Sequence, residues 1–179
     1  METGADPKQD LNADFQDCYR RELSYVVHTL RRLGVKPAEL EDVAHDVFVA
    51  VFRHFGERDP SRPLKPWLFG FCFRIASDHR KLARHRHETG EREHEPIDPA
   101  HLPDELVAEE RLRRQLLAAL DAMDFEKRSL VVMHDLEGIG VPEIAGLLAV
   151  PLNTAYSRLR LARAEFEKQL VKITGGSHE

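Results

Sequence analysis

Cysteine is scarce in this chain: Cys18 and Cys72 are the only two among 179 residues. That excludes a disulfide scaffold and a metal centre built from several thiolates. Both fall in segments of helical apolar periodicity, which predicts reduced thiols in a core. Long apolar runs are equally missing. The longest is the six residues from Val47 to Phe52, against the ~20 that a membrane span needs, so no transmembrane helix is expected. The opening stretch METGADPKQD has neither the basic nor the apolar region of a secretory signal, so a cytoplasmic protein that is not membrane-inserted is expected. Glycine-rich phosphate loops are absent, and no nucleophile is accompanied by a base and an orienting group. The residues therefore offer no enzyme and call for no cofactor.

What is present is charge, and its distribution says more than its sum. The 26 basic and 31 acidic residues give a net −5, which taken whole argues against a nucleic-acid partner. Between Arg74 and His87, however, Arg74, Arg80, Lys81, Arg84 and Arg86 meet only Asp78, a local +4. From Glu88 to Glu110, nine acids stand against Arg92, a local −8, together with Pro96, Pro99 and Pro103. Such a stretch buries too little apolar surface to offset its ordering entropy, so residues 87–104 read as a flexible acidic linker. It would join two small domains, residues 12–86 and 105–173. A hydrophobic content of 42% suffices to give them packed cores.

Both parts read as helical, so the fold class expected is all-α: an N-terminal helical bundle and a C-terminal helix-turn-helix domain. Phe15, Tyr19, Leu23, Val26, Val27, Leu30 and Leu33 recur at steps of three and four, one helical face. Gly34 stands where a helix end wants positive φ. A second helix from Pro37 to Phe55 has Leu40, Val43, Ala44, Val47, Phe48, Val51, Phe52 and Phe55 on one face and Glu39, Asp42, His45, Asp46 and Arg53 on the other. Gly56 to Pro66, with three prolines, is a loop. A third helix, Lys65 to His85, carries Trp67, Leu68, Phe71, Cys72, Ile75 and Ala76. In the second part Leu106, Leu112, Leu116, Leu117, Leu120 and Met123 mark one helix, and Leu130, Val131, Met133 and His134 a shorter one. Pro142 suits the first turn of the next, which turns Ile144, Ala145 and Leu148 inward and breaks over Ala149 to Pro151. The last helix buries Leu152, Ala155, Leu159, Ala162 and Phe166.

Two short helices around a tight turn form a helix-turn-helix, whose second helix is sized for a major groove. Its exposed residues are Asn153, Thr154, Tyr156, Ser157, Arg158, Arg160 and Arg163, and residues 150–172 carry a local +3. Short hydrogen-bonding side chains near the helix start with arginines further along suit base edges flanked by phosphates. In the first part, basic residues adjoin Trp67, Phe69, Phe71 and Phe73, the combination that unstacked single-stranded bases require. Trp67 and Phe71 at helical spacing equally fit a core. The acidic face of the second helix is either solvated or a dock for a basic partner helix. His85, His87, Glu88, Asp98 and His101 are metal-ligand types, but they fall in the linker with no further cluster to orient them, so no metal site is expected.

With these residues in view, the chain resembles an extracytoplasmic-function (ECF) sigma factor, the compact class of the sigma-70 family of bacterial RNA polymerase. Glu41-Asp-Val-Ala-His-Asp-Val-Phe-Val-Ala-Val-Phe52 is similar to the family segment that grips the polymerase clamp helices. Pro66-Trp-Leu-Phe-Gly-Phe-Cys-Phe-Arg-Ile-Ala-Ser-Asp-His-Arg-Lys81 resembles its −10 element segment. Leu136-Glu-Gly-Ile-Gly-Val-Pro-Glu-Ile-Ala, followed by Val150-Pro-Leu-Asn-Thr-Ala-Tyr-Ser-Arg-Leu, resembles its −35 helix-turn-helix. This sequence departs from the family pattern at His45, where glutamine is usual, and at Phe73-Arg74, where arginine-asparagine is frequent. Asn153 and Tyr156 replace a frequent glycine and arginine.

The resemblance implies a monomeric alternative sigma factor that binds core RNA polymerase through Asp42, His45, Asp46 and Val49. It would capture an unpaired −10 base in the Asp59 to Lys65 loop, with Arg62, Lys65, Arg74, Arg80, Lys81 and Arg84 as DNA contacts. It would read the −35 duplex through Asn153, Thr154, Tyr156, Ser157 and Arg160, with Arg158 and Arg163 on phosphates. It also implies an inhibitory anti-sigma partner, and no further sensory domain after Lys172. The acidic linker is either a solubilising tether or a nucleic-acid mimic that keeps the free chain off DNA. The competing reading of the same residues is a stand-alone helix-turn-helix regulator binding operator DNA as a dimer.

Overall fold

The computed structural model describes the backbone of residues 7–87 and 104–175 and the side chains of residues 12–82 and 108–175. Every regular element among them is a helix or helical turn, in line with the all-α expectation. Apart from its two end positions, the linker expected at 87–104 lies outside the described residues, as do the side chains of His85, His87, Glu88, Asp98 and His101. The chain divides into two compact units, Met1–His79 and Arg80–Glu179.

The first unit begins with α1, Pro7–Leu33. Gly34 ends it at φ 99°, with its N–H donating to the Arg31 carbonyl at 3.1 Å and the Val35 N–H to that of Leu30 at 3.0 Å. This paired closure needs a left-handed residue, which glycine supplies without a Cβ clash. A 3₁₀ turn, Pro37–Glu39, leads into α2, Leu40–His54. A second, Phe55–Glu57, precedes the loop to α3, Leu64–His87. Val26, Leu30 and Leu33 of α1 are buried with Val43, Ala44, Val47, Phe48 and Val51 of α2 and Leu68, Phe69, Cys72 and Ala76 of α3. Full burial of each larger side chain contributes roughly 1.5–3 kcal/mol over exposure. Both cysteines are buried thiols outside any disulfide, as the periodicity implied. Phe52 departs from its expected place: half of it is exposed, and its ring meets Phe15 edge-on at 4.8 Å rather than entering the core.

In the second unit α4, Asp104–Asp121, is followed by α5, Phe125–Val131. Asp124 caps α5, its Oδ1 accepting the Lys127 N–H at 3.0 Å. Arg128 is buried with its Nη1 2.7 Å from Asp121 Oδ1, an ion pair between α4 and α5. A π-helical turn, Val132–Leu136, then α6, Val141–Leu148, and α7, Leu152–Gly175, complete the unit. Pro142 occupies the first turn of α6, as expected. α7 packs against α4, α5 and α6 and buries Ala155, Leu159 and Ala162. Leu152, read as buried from spacing, is exposed, and so is Leu112 of the apolar set that marks α4. Among the described side chains of α4, burial is complete only at Ala119 and Leu120, past Leu112, and Leu152 is the first residue of α7.

Candidate nucleic-acid interface

Three groups of exposed side chains stand out, each set by the helix that carries it. On α2, Asp42, His45, Asp46 and Val49 recur at i, i+3, i+4 and i+7 and so share one side. The first three are exposed and Val49 is half-buried, opposite the stripe of Val43, Val47 and Val51. Glu39, expected on the same acidic face, instead has Oε1 3.5 Å from His79 Nε2 of α3. The face that remains is short, acidic and edged by one apolar residue.

The loop between α2 and α3 is held by its own hydrogen bonds. Asp59 Oδ1 accepts from the Ser61 N–H at 2.9 Å and the Ser61 hydroxyl at 2.6 Å. The Arg62 N–H donates to the Asp59 carbonyl at 3.2 Å, and Arg58 Nη1 to the Arg62 carbonyl at 3.3 Å. The hydrogen bonds from Ser61 hold the Asp59 carboxyl below its ordinary value. Arg62 projects outward, largely exposed, with Nε 3.5 Å from Asp59 Oδ2. Lys65 is fixed from α1: the Tyr25 hydroxyl donates to its carbonyl at 3.3 Å, and its Nζ lies 5.4 Å from the Tyr25 ring centroid. Sequence reasoning missed Tyr25. Its position beside the apolar stripe of α1, with a polar tip, was the available signal.

Beyond the loop, the expected aromatic patch is present but rearranged. Phe69 is fully buried and belongs to the core, because it points opposite to Phe71 on α3. Trp67 and Phe71 are half-buried and meet edge-on at 4.9 Å. His54 lies 6.0 Å from Phe71, and the Arg74 guanidinium 5.9 Å from the same ring. Cation and ring are thus adjacent, as base stacking needs. Lys81, seven residues from Arg74, shares its side of α3 and is exposed. Arg80 is half-buried, and the side chain of Arg84 lies outside the described residues.

The helix-turn-helix turns on Ala149, which is left-handed at φ 52° and ψ 45°. Its N–H donates to the Gly146 carbonyl at 3.2 Å and the Val150 N–H to that of Ala145 at 3.0 Å. The closure is the same as at Gly34, made with a Cβ present. On α7, Asn153, Ser157 and Arg160 point away from the buried stripe, with Tyr156 at their edge, more than half exposed. Thr154 and Arg158 lie on one flank. Arg163 lies on the other, in a groove that it lines together with Tyr156, Ser157 and Arg160 and with His134 and Val141. Tyr156, Ser157, Arg160 and Arg163 therefore border one groove, and Thr154 and Arg158 face away from it.

Comparison with known families matches residues 18–85 to sigma-70 region 2 and residues 113–166 to sigma-70 region 4. The chain belongs to the ECF branch of the sigma-70 family. This sigma factor is 28% identical to the sigma factor CarQ of Myxococcus xanthus, over 96% of this chain and all of CarQ. It is also 28% identical to the ECF sigma factor SigE of Mycolicibacterium smegmatis, covering 88% of this chain and 62% of SigE. Its fold is similar to that of the sigma factor RpoE of Bartonella quintana in complex with the anti-sigma factor NepR. That match has a TM-score of 0.67 at 20% identity and covers 88% of this chain and 96% of the other. The region 2 match contains the α2 face, the loop and the aromatic group of this sigma factor. The region 4 match contains its helix-turn-helix.

Proposed function

We propose that this sigma factor binds core RNA polymerase and directs transcription initiation at promoters with a −10 and a −35 element. Residues 12–86 dock on the polymerase through Asp42, His45, Asp46 and Val49, a face acidic enough to receive a basic helix. The same module holds an unpaired −10 base at the Asp59 to Lys65 loop, with Arg62, Lys65 and Arg74 nearest and Arg80, Lys81 and Arg84 following the backbone. Residues 105–173 read the −35 duplex with Asn153, Tyr156, Ser157 and Arg160, while Thr154 and Arg158 contact the adjoining strand. The protein acts in the cytoplasm by recognition rather than as an enzyme, and an anti-sigma protein restrains it.

The exposed line of Asn153, Ser157 and Arg160 beyond the left-handed Ala149 turn carries this reading, because it presents base-reading side chains from a helix held on its other side. Run-off transcription with purified core polymerase on a promoter library tests it. Arg160→Ala is expected to change promoter choice, at a cost of ~1–3 kcal/mol at the position it reads. Unchanged choice and strength would remove the recognition-helix assignment. A dimer that shifts operator DNA without polymerase would instead establish a stand-alone regulator.

A further inference from the structure

The expectation that Arg163 binds a phosphate meets a geometric obstacle. Its Nε donates to Asp135 at 3.1 Å from Oδ1 and 3.0 Å from Oδ2, and its Nη2 donates to the same Oδ1. Two nitrogens of one guanidinium thus grip one carboxylate across 28 residues of sequence, the fork geometry at which arginine excels. Asp135 sits in the π-helical turn Val132–Leu136. That turn sets the chain's entry into α6: the Glu137 N–H donates to the Val132 carbonyl at 3.0 Å and the Ile139 N–H to that of Met133 at 2.9 Å, with Gly138 between at φ 69°. Arg163 also stands beside His134 and Val141 in a groove that Tyr156, Ser157 and Arg160 line from the same helix. A phosphate arriving there would meet the Asp135 carboxylate, whose charge repels it.

We infer that Arg163 is a positioning residue: its fork to Asp135 fixes the rotation of the recognition helix relative to the turn that leads into α6, and it makes no phosphate contact. The inference rests on the −35 reading above. With the two side chains 48% and 30% exposed, the pair adds little to folding. Its loss is felt in where Tyr156, Ser157 and Arg160 point, hence in discrimination between sequences.

The test uses holoenzyme assembled from the full chain and core polymerase, with a promoter duplex selected by run-off and the same duplex scrambled at −35. Binding is measured across a salt series for wild type, Arg163→Ala, Asp135→Ala and the exchange of both residues, Arg163→Asp with Asp135→Arg. Thermal melts accompany each variant. Both single variants are expected to lower the matched-to-scrambled affinity ratio about three- to tenfold with the salt slope of wild type, and the exchange to restore at least half of that loss. Arg158→Ala, by contrast, should lower the slope by about one. The inference is overturned if Arg163→Ala lowers the slope by about one, if Asp135→Ala tightens binding to both duplexes, or if the ratio stays at the wild-type value. Should a single variant fail to fold, the exchange variant decides: discrimination restored supports the pair, discrimination lost refutes it. A wild-type holoenzyme with no preference between the duplexes overturns the −35 reading itself, a result separate from any behaviour of the variants.

Discussion

At the scale of single residues, one carboxylate shows how local chemistry decides stability. Burial pushes Asp124 up, but its hydrogen bonds with Lys127 outweigh that and leave it below the ordinary value. Its cap on α5 therefore stabilises the fold fully above the unfolded carboxylate value of ~3.9, and the stabilisation fades as pH falls through the lower folded value. Asp124→Ala should lose about 1 kcal/mol in urea unfolding at neutral pH, and acid should make variant and wild type converge. Asp124→Asn, which still offers an acceptor, should lose less. Phe69→Ala should cost roughly 3–5 kcal/mol, a large effect from a residue whose sequence context placed it in a surface patch. Burial, and then the charge of Glu22, push the Cys18 thiol up. Alkylation followed by mass spectrometry should therefore leave Cys18 unmodified in the native protein at neutral pH and label it on unfolding.

Elements show where sequence patterns suffice and where they fail. The α2 face was legible because four chemically distinctive residues fall at i, i+3, i+4 and i+7, a spacing that survives whatever packs behind it. The stop of α1 was legible because Gly34 announces a left-handed residue. At Ala149 the break was legible from Pro151, but the left-handed conformation was not, since alanine carries no mark of it. An L-residue there is strained by ~1–2 kcal/mol, which glycine relieves while losing ~0.5–1 kcal/mol through its freer unfolded chain. Ala149→Gly should therefore raise stability by up to about 1 kcal/mol in thermal or urea unfolding, with the turn and its two hydrogen bonds retained. The π-helical turn Val132–Leu136 had no sequence signature, because its register comes from the hydrogen bonds of Glu137 and Ile139.

For the whole molecule, the net −5 is a sum of segments with different tasks. The +4 and +3 stretches lie in α3 and α7, and the whole −8 stretch, residues 88–110, lies between the matched sigma-70 regions. If the acidic stretch competes with DNA, the triple change Glu91→Gln, Glu93→Gln and Glu95→Gln should tighten DNA binding by the free chain in a gel shift at low salt, and added salt should erase the gain. Equal binding by both proteins would make the stretch a tether.

Sequence by itself determined the helical class, the helix-turn-helix and the family, because these rest on periodicity, turn residues and ordered motifs that act over a few turns of chain. Only the tertiary structure decided that Phe69 is core while Trp67 and Phe71 are half-buried, and that Tyr25 holds Lys65. It alone joined Arg163 to Asp135. Those outcomes depend on which neighbour a side chain meets across the fold. An arginine on a helix face reads the same from sequence whether a phosphate or a carboxylate 28 residues away receives it.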